Sequence, residues 1–243
     1  MEVIVCAAGK GTRMGELCKD KPKHVLPVNG KPFLYHLLEN LKKGGATKII
    51  LVGGYKFEKL KEYVEKIKEE FDIVLVNQFN EVGEDKYGTA MPLKAAQKYV
   101  QGEEFLVVYG DNLYSDKDIK ELVSEGPGLN YVAALKHENP TKYGVFLHDE
   151  NMMLKEVIEK PEVPPTNLIN TGIYRFTKEI FTKIDELVPS LRGEFELTDA
   201  IQLLAKENKV RVKVLKDYWL DFGKPEDIPV VENFLIVQSK KRA

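Results

Sequence analysis

Cysteine is scarce, with two in 243 residues, which leaves no disulfide framework and makes a reducing compartment, the cytoplasm, the expected location. No run of 18 apolar residues occurs, and Met1-Glu2-Val3 is not a basic region leading into an apolar core. Neither a membrane span nor an export signal is expected. An excess of one charge is also missing, since 36 Lys and Arg against 38 Asp and Glu leave a net charge of −2. That is too weak a field to hold a nucleic-acid backbone or an anionic membrane, so any polyanion partner must be small and locally bound. The four histidines lack metal-ligand spacing and no Ser or Cys sits in a nucleophile motif, so none of them is assigned a catalytic role.

What is present is an ordinary globular composition, 43% apolar and 30% charged, in a chain able to bury roughly 70–75% of its unfolded surface. No repeat, low-complexity tract or linker divides it. One domain is expected, with one half near 1–125 and a second half near 126–243. Val3 to Ala7 reads as a buried strand, and Phe33, Leu34, Leu37, Leu38 and Leu41 as one face of a helix from Pro32 to Lys43 that stops at Gly44-Gly45. Strands at 48–53, 73–76 and 105–109 alternate with helices, one carrying Leu60, Val64, Ile67 and Phe71 and one near 89–100. Strand-like pieces follow at 131–135, 143–147 and 168–176, with helices at 178–187, 196–207 and 225–238. The pattern predicts an α/β fold, a Rossmann-like three-layer sandwich with a mostly parallel central sheet, helices on both faces and a small β annex. In such sheets, ligands bind beyond the carboxyl ends of the strands.

After the first strand comes Ala7-Ala8-Gly9-Lys10-Gly11-Thr12-Arg13-Met14-Gly15. A dinucleotide fingerprint fails because Met14 stands where the third glycine belongs, and a P-loop fails because Gly11 follows Lys10. What remains is an unusually long βα connection, from Ala8 to Lys31, carrying Lys10, Arg13, Lys19, Lys21 and Lys23. It is either a loop built to wrap a polyphosphate or a solvated basic loop.

Gly9-Lys10-Gly11-Thr12-Arg13-Met14, followed by Lys21-Pro22-Lys23 and Leu26-Pro27-Val28, resembles the signature loop of the sugar-1-phosphate nucleotidylyltransferases. The resemblance continues through Gly88-Thr89-Ala90, Gly110-Asp111-Asn112, Tyr143-Gly144-Val145, Glu159-Lys160-Pro161, Asn170-Thr171-Gly172-Ile173-Tyr174, Glu196-Leu197-Thr198-Asp199 and Trp219-Leu220-Asp221-Phe222-Gly223, in the family's order.

This resemblance implies that Ala8, Gly9, Gln78, Gly88 and Thr89 read the base, with Asn77 and Glu81 close competitors for Gln78. Gly11, Thr12 and Arg13 would hold the triphosphate and Lys23 its α-phosphate side, with Arg13 and Lys23 catalytic. Asn112, Tyr143, Gly144, Glu159, Asn170 and Thr171 would line the sugar pocket, and Lys160 would meet the sugar phosphate. Asp111 and Asp221 would share one Mg²⁺, a metal usually held by a few carboxylates and substrate phosphates. On spacing alone, Asp111 also suits a helix cap or a turn, Asp221 a turn, and Tyr143 and Trp219 the core.

The chemistry so implied is attack of a sugar 1-phosphate on the α-phosphorus of a nucleoside triphosphate. The nucleophile is already anionic, so positioning and charge neutralisation dominate. UTP or dTTP and glucose 1-phosphate are the favoured substrates. A cytidylyltransferase acting on a phosphate such as phosphocholine and a non-catalytic nucleotide-sugar sensor share the fold. No hexapeptide repeats occur, so no appended left-handed β-helix is expected. A homo-oligomer is an open possibility.

Overall fold

The unbroken apolar run Val3-Ile4-Val5 is fully buried at the centre of β1 (Glu2–Ala7), as a strand covered on both faces requires. The structure, a computed structural model, describes residues 1–242. The long connection after β1 is wound rather than open. It holds two 3₁₀ turns, Thr12–Cys18 and Lys23–Val25, and the minimal ladder of β2 (Pro27–Val28) with β3 (Lys31–Pro32). In α1 (Phe33–Lys43), Pro32 stands one residue outside the helix rather than in its first turn. Gly45, at φ +103°, takes the chain out of the helix into a conformation few other residues adopt.

The alternation continues as β4 (Lys48–Gly53), α2 (Phe57–Ile67), β5 (Ile73–Asn77), α3 (Gln78–Val82), α4 (Met91–Ala96) and β6 (Glu104–Tyr109). Phe71 lies beyond α2 yet is buried against the same core. Helix α4 starts later than expected because the Tyr87 carbonyl and Ala90 N bond to Phe195 in a distant segment instead. There follow β7 (Asn112–Tyr114), α5 (Asp116–Val123), β8 (Asn130–Lys136), β9 (Gly144–His148), β10 (Leu154–Glu159), β11 (Leu168–Thr177), α6 (Glu179–Asp185), α7 (Leu197–Lys206), β12 (Val210–Val214), β13 (Trp219–Asp221) and α8 (Asp227–Arg242). The sequence pattern did not predict β7, α5, β10, β12 and β13.

Nine strands form one sheet in the order β10-β9-β11-β6-β1-β4-β5, with β8 beside β11 and β12 beside β8. Strands β1, β4, β5 and β6 are mutually parallel, β11 opposes β6, β8 and β9 oppose β11, and β12 follows β8. All therefore point one way except β10 and β11, which makes the sheet mostly parallel as expected. Strands from both halves of the chain share it, since Ile173 of β11 pairs with Val108 of β6. Alternate residues of β1 feed two cores, Val3 and Val5 packing with Leu34 and Ile119 on one face and Ile4 with Leu93 and Leu204 on the other. The β annex is the separate pair β7 and β13. Among the described residues, no helix is long and apolar enough to cross a membrane.

Candidate active site

The carboxyl ends of β1, β5 and β6 and the start of β11 open on one cleft of about 660 Å³. Its walls include Ala8, Gly9, Arg13, Lys23, Gln78, Gly88, Thr89, Asp111, Asn112, Tyr143, Gly144, Glu159, Lys160, Asn170, Thr171 and Asp221. Two expected residues, Gly11 and Thr12, do not line it. Gly11 sits at φ +65° at the head of the first 3₁₀ turn, where a Cβ would come 3.2 Å from Cys18 Sγ. Its glycine serves that turn, and Thr12 is exposed beside it.

The centre is assembled by pairing segments some 110 residues apart in sequence. In the β7–β13 ladder Asp221 faces Asn112, which places it beside Asp111, and Asn112 Nδ2 donates to Asp221 Oδ1 at 3.3 Å. The loop entering β13 is clamped to α5: Lys216 N and Asp217 N each donate at 2.9 Å to the buried Asp118 carboxylate, and Ser115 Oγ donates to Asp217. Phe222, just past β13, stacks on Phe33 at 4.1 Å. Asp111 caps no helix. Its Oδ2 accepts from the buried Lys23 Nζ at 2.5 Å.

The two carboxylates are biased in opposite directions. Burial pushes the Asp111 carboxyl up, but the charge and hydrogen bond of Lys23 outweigh it and hold the group below the usual range. Asp221 is raised, by burial first and then by the charges of Asp111 and Asp227. His24 is fully buried beside them and neutral, since burial and the Lys23 charge bring its pKa down to about 3.

The other end of the cleft is shaped for a polar ligand. The Tyr143 ring meets Trp219 edge-on at 5.6 Å, and Trp219 Nε1 donates to the Thr171 carbonyl, so the indole is fixed. Both aromatics are therefore walls of the cleft as well as parts of its frame. Asn170 Oδ1 accepts from Gly172 N and Tyr174 Oη, which leaves its Nδ2 as a donor for a ligand. The Thr171 hydroxyl is spent on the Ala133 carbonyl at 2.8 Å, so that side chain shapes the wall instead of reaching into the cleft. Gly144 makes room for Glu159, whose Oε2 would lie 2.8 Å from a Cβ there. Lys160 holds φ +44°, an unusual value for lysine that is stored at the cleft rim.

At the opposite end Gln78 is buried with its Oε1 unpaired among the described residues, an acceptor that a ligand can complete. Gly88 stands at φ +125°, and a Cβ would fall 2.2 Å from the Phe195 carbonyl oxygen. Backbone packing against Phe195 by itself requires a glycine at this position. Sequence reasoning missed Tyr87 and Arg192, which also line the cleft, as do Lys10 of the basic loop and Glu196 of the motif that it opens. Lys10 Nζ lies 4.8 Å from the Tyr87 ring centroid. Arg192 had a readable signal, a cation four residues ahead of Glu196 in a turn bounded by Pro189 and Gly193.

The sequence matches the model of the family described as nucleotidyl transferase over residues 2–237. The chain belongs to that family. This nucleotidyl transferase is 38% identical over 229 residues to a bifunctional sugar-1-phosphate nucleotidylyltransferase/acetyltransferase of Sulfurisphaera tokodaii, covering 94% of this chain and 54% of that protein. It is 34% identical to a UTP–glucose-1-phosphate uridylyltransferase of Haloferax volcanii, with 93% of each chain covered. The chain thus spans about half the length of the bifunctional relatives it matches. A solved apo UDP-glucose pyrophosphorylase has the same fold, with TM-score 0.85, 24% identity, and 100% of this chain and 99% of that one covered.

Proposed function

We propose that this nucleotidyl transferase moves a nucleotidyl group from a nucleoside triphosphate, UTP or dTTP by preference, to a sugar 1-phosphate, glucose 1-phosphate by preference. A phosphate oxygen of the sugar 1-phosphate forms a bond to the α-phosphorus as the bond to the bridging α–β oxygen breaks. The electron pair leaves with pyrophosphate. The observation that carries this reading is the convergence of Lys23, Arg13, Asp111 and Asp221 at one strand-end centre, between a cleft end with an unpaired amide acceptor and one lined by Asn170, Glu159 and two aromatic edges.

Opposing charge is the main barrier to this reaction. Two phosphate charges about 5 Å apart repel by roughly 3 kcal/mol at an effective dielectric of about 20, and several such pairs form as the substrates meet. Lys23, held by Asp111, offers a fixed positive charge at the floor. Arg13, Lys160 and Arg192 offer exposed ones at the rim. The Lys160 ammonium, 3.8 Å from Glu159, stands where a sugar phosphate would enter. Gln78 supplies an acceptor for a base N–H, and Glu159 and Asn170 supply an acceptor and a donor for sugar hydroxyls.

The residues present fit a magnesium ion. Lys23 engages Asp111 through Oδ2, and Asp221 is raised partly by the Asp111 charge, so a cation shared by the two carboxylates relieves a repulsion that exists without it. No group of three or more His, Cys, Asp or Glu among the described residues forms a ready-made cage. Two carboxylates completed by phosphate oxygens is a donor set that Mg²⁺ accepts. When bound, Mg²⁺ would neutralise charge on the phosphoryl oxygens.

The test is a panel of nucleoside triphosphates against sugar 1-phosphates and phosphocholine, with pyrophosphate release as the readout. Turnover with UTP or dTTP and a hexose 1-phosphate is expected. Release with CTP and phosphocholine alone selects the other transferase reading, and no release with any pair selects a sensor.

A further inference from the structure

The motif Glu196-Leu197-Thr198-Asp199 plays no part in the reading above, yet Glu196 joins two sides of the cleft. Its side chain is 13% exposed. Oε1 accepts from Arg192 Nη2 at 2.6 Å, and Oε2 accepts from Thr89 Oγ1 at 3.1 Å. The Thr89 hydroxyl in turn accepts from Leu197 N at 2.8 Å. On either side of Gly88, Phe195 N donates to the Tyr87 carbonyl and Ala90 N donates to the Phe195 carbonyl. Residues 87–90, at the base end, are thereby stitched to 192–197, and Arg192 hangs from the stitched unit.

Arg192 needs such a hold. Its side chain is 62% exposed, on a turn closed by Ser190 N to Glu194 O and Gly193 N to Ser190 O. A free arginine there would spread over many rotamers. The contact with Glu196 is through Nη2, and the guanidinium fork keeps further N–H donors for a phosphate.

We propose that Glu196 is a positioning residue that presents Arg192 to the phosphate of the sugar 1-phosphate and, through Thr89, ties that placement to the nucleotide side of the cleft. The proposal rests on the nucleotidyl-transfer reading. It goes beyond that reading in naming what aims one rim cation and in predicting that two residues without direct contact, Thr89 and Arg192, act as one.

Initial rates of pyrophosphate release with glucose 1-phosphate varied at saturating UTP test it, in Arg192→Ala, Glu196→Gln, Thr89→Val, Thr89→Ser and the doubles with Arg192→Ala, each melted in parallel. Glu196→Gln should raise the KM for glucose 1-phosphate about fivefold and leave that for UTP and the kcat within about twofold, since a positioning group for a bound phosphate acts through binding. Added to Arg192→Ala, it should do no further harm, because the two act as a unit. Thr89→Val should raise the glucose 1-phosphate KM only while Arg192 is present, and Thr89→Ser, which keeps the hydroxyl, should retain the dependence on Arg192 that Thr89→Val loses. Should Glu196→Gln fail to fold, the two Thr89 variants in both backgrounds decide the matter alone. Effects that multiply with Arg192→Ala, or equal rises in both KM values, overturn the proposal while the transferase reading stands. A wild type that releases no pyrophosphate with any pair overturns both.

Discussion

Asp221→Asn should stabilise the metal-free protein while removing its activity. The substitution keeps the shape of the side chain and an acceptor for Asn112 Nδ2, and it removes one negative charge. Its magnitude follows from the β7–β13 register, which sets Asp221 opposite the residue next to Asp111. Neighbours on paired strands lie about 5 Å apart, and two charges at that distance repel by about 3 kcal/mol at an effective dielectric of about 20. Lys23 on Asp111 offsets much of this, leaving about 1 kcal/mol. For a domain of this size, that raises the Tm by about 2–4 °C. Burial first, then the charges of Asp111 and Asp227, raise the folded-state pKa of Asp221 above its usual 3.8. The wild-type penalty is therefore present at neutral pH and disappears as pH falls below the unfolded value. The advantage of the variant should be largest near pH 7 in EDTA and should shrink through the carboxylate range. Adding Mg²⁺ with UTP should stabilise the wild type more than the variant. A variant that melts below wild type in EDTA at pH 7, or that gains as much from Mg²⁺ and UTP, refutes the reasoning.

Arg13→Ala should lower kcat at least tenfold and leave the KM for sugar 1-phosphate within about threefold, as removal of an interaction made chiefly in the transition state does; unchanged kcat in steady-state rates moves that role to Lys23. Gly88→Ala should cost more than about 3 kcal/mol, since the added Cβ meets the Phe195 backbone and the φ of +125° disfavours any side chain; a urea midpoint near that of wild type contradicts the packing. Asp118→Ala should cost about 1–3 kcal/mol by removing the charged acceptor of the half-buried N–H groups of Lys216 and Asp217. Because those groups seat β13, half-maximal activity should also require more Mg²⁺, which a titration of turnover reads directly.

Strands β1, β4 and β6 are legible in the sequence because their apolar runs are long enough to be buried on both faces. The strands that escaped are short or lie at edges. Leu154–Glu159 is half charged and pairs only along β9, and Trp219–Asp221 is three residues whose strand character comes from β7. Helix α5 carried an ordinary signal, Ser115 as its cap with Asp116 and Asp118 in the first turn, but its apolar face is short, Ile119 and Leu122 with Val123 at its edge. The site was legible through motifs more than through physics. Spacing alone left Asp111 a cap or a turn, and only the register of β7 with β13 brings it to Asp221. The motifs also do not show what packs on Gly11 and Gly88, where a Cβ would meet Cys18 and Phe195, contacts that have no local trace in the sequence.

The placement of charge follows from what each group must do. Carboxylates that are to share a cation must be held close together against their own repulsion, and short paired strands with a clamped loop can do that where a free loop cannot. On the proposed reading these carboxylates are Asp111, immediately ahead of β7, and Asp221 on β13, braced by Asp118 and the Phe33–Phe222 stack. Cations that must admit a large anionic ligand and release a larger anionic product need access, and Arg13, Lys160 and Arg192 stand exposed on loops. Lys23 is the exception, an ammonium 7% exposed beneath the cleft. A buried lysine stays charged only with a partner, and Asp111 provides one. On the proposed reading, a phosphate arriving at Lys23 competes for that ammonium with the carboxylate that also serves the metal. Lys23→Met should then weaken nucleotide binding and at the same time leave Asp111 buried with its principal counter-charge gone, so its carboxyl should rise above the usual range. The variant should gain more stability than the wild type as pH falls from 7 toward 5, and melts of the two that run parallel over that interval would show that the ammonium and Asp111 are not coupled.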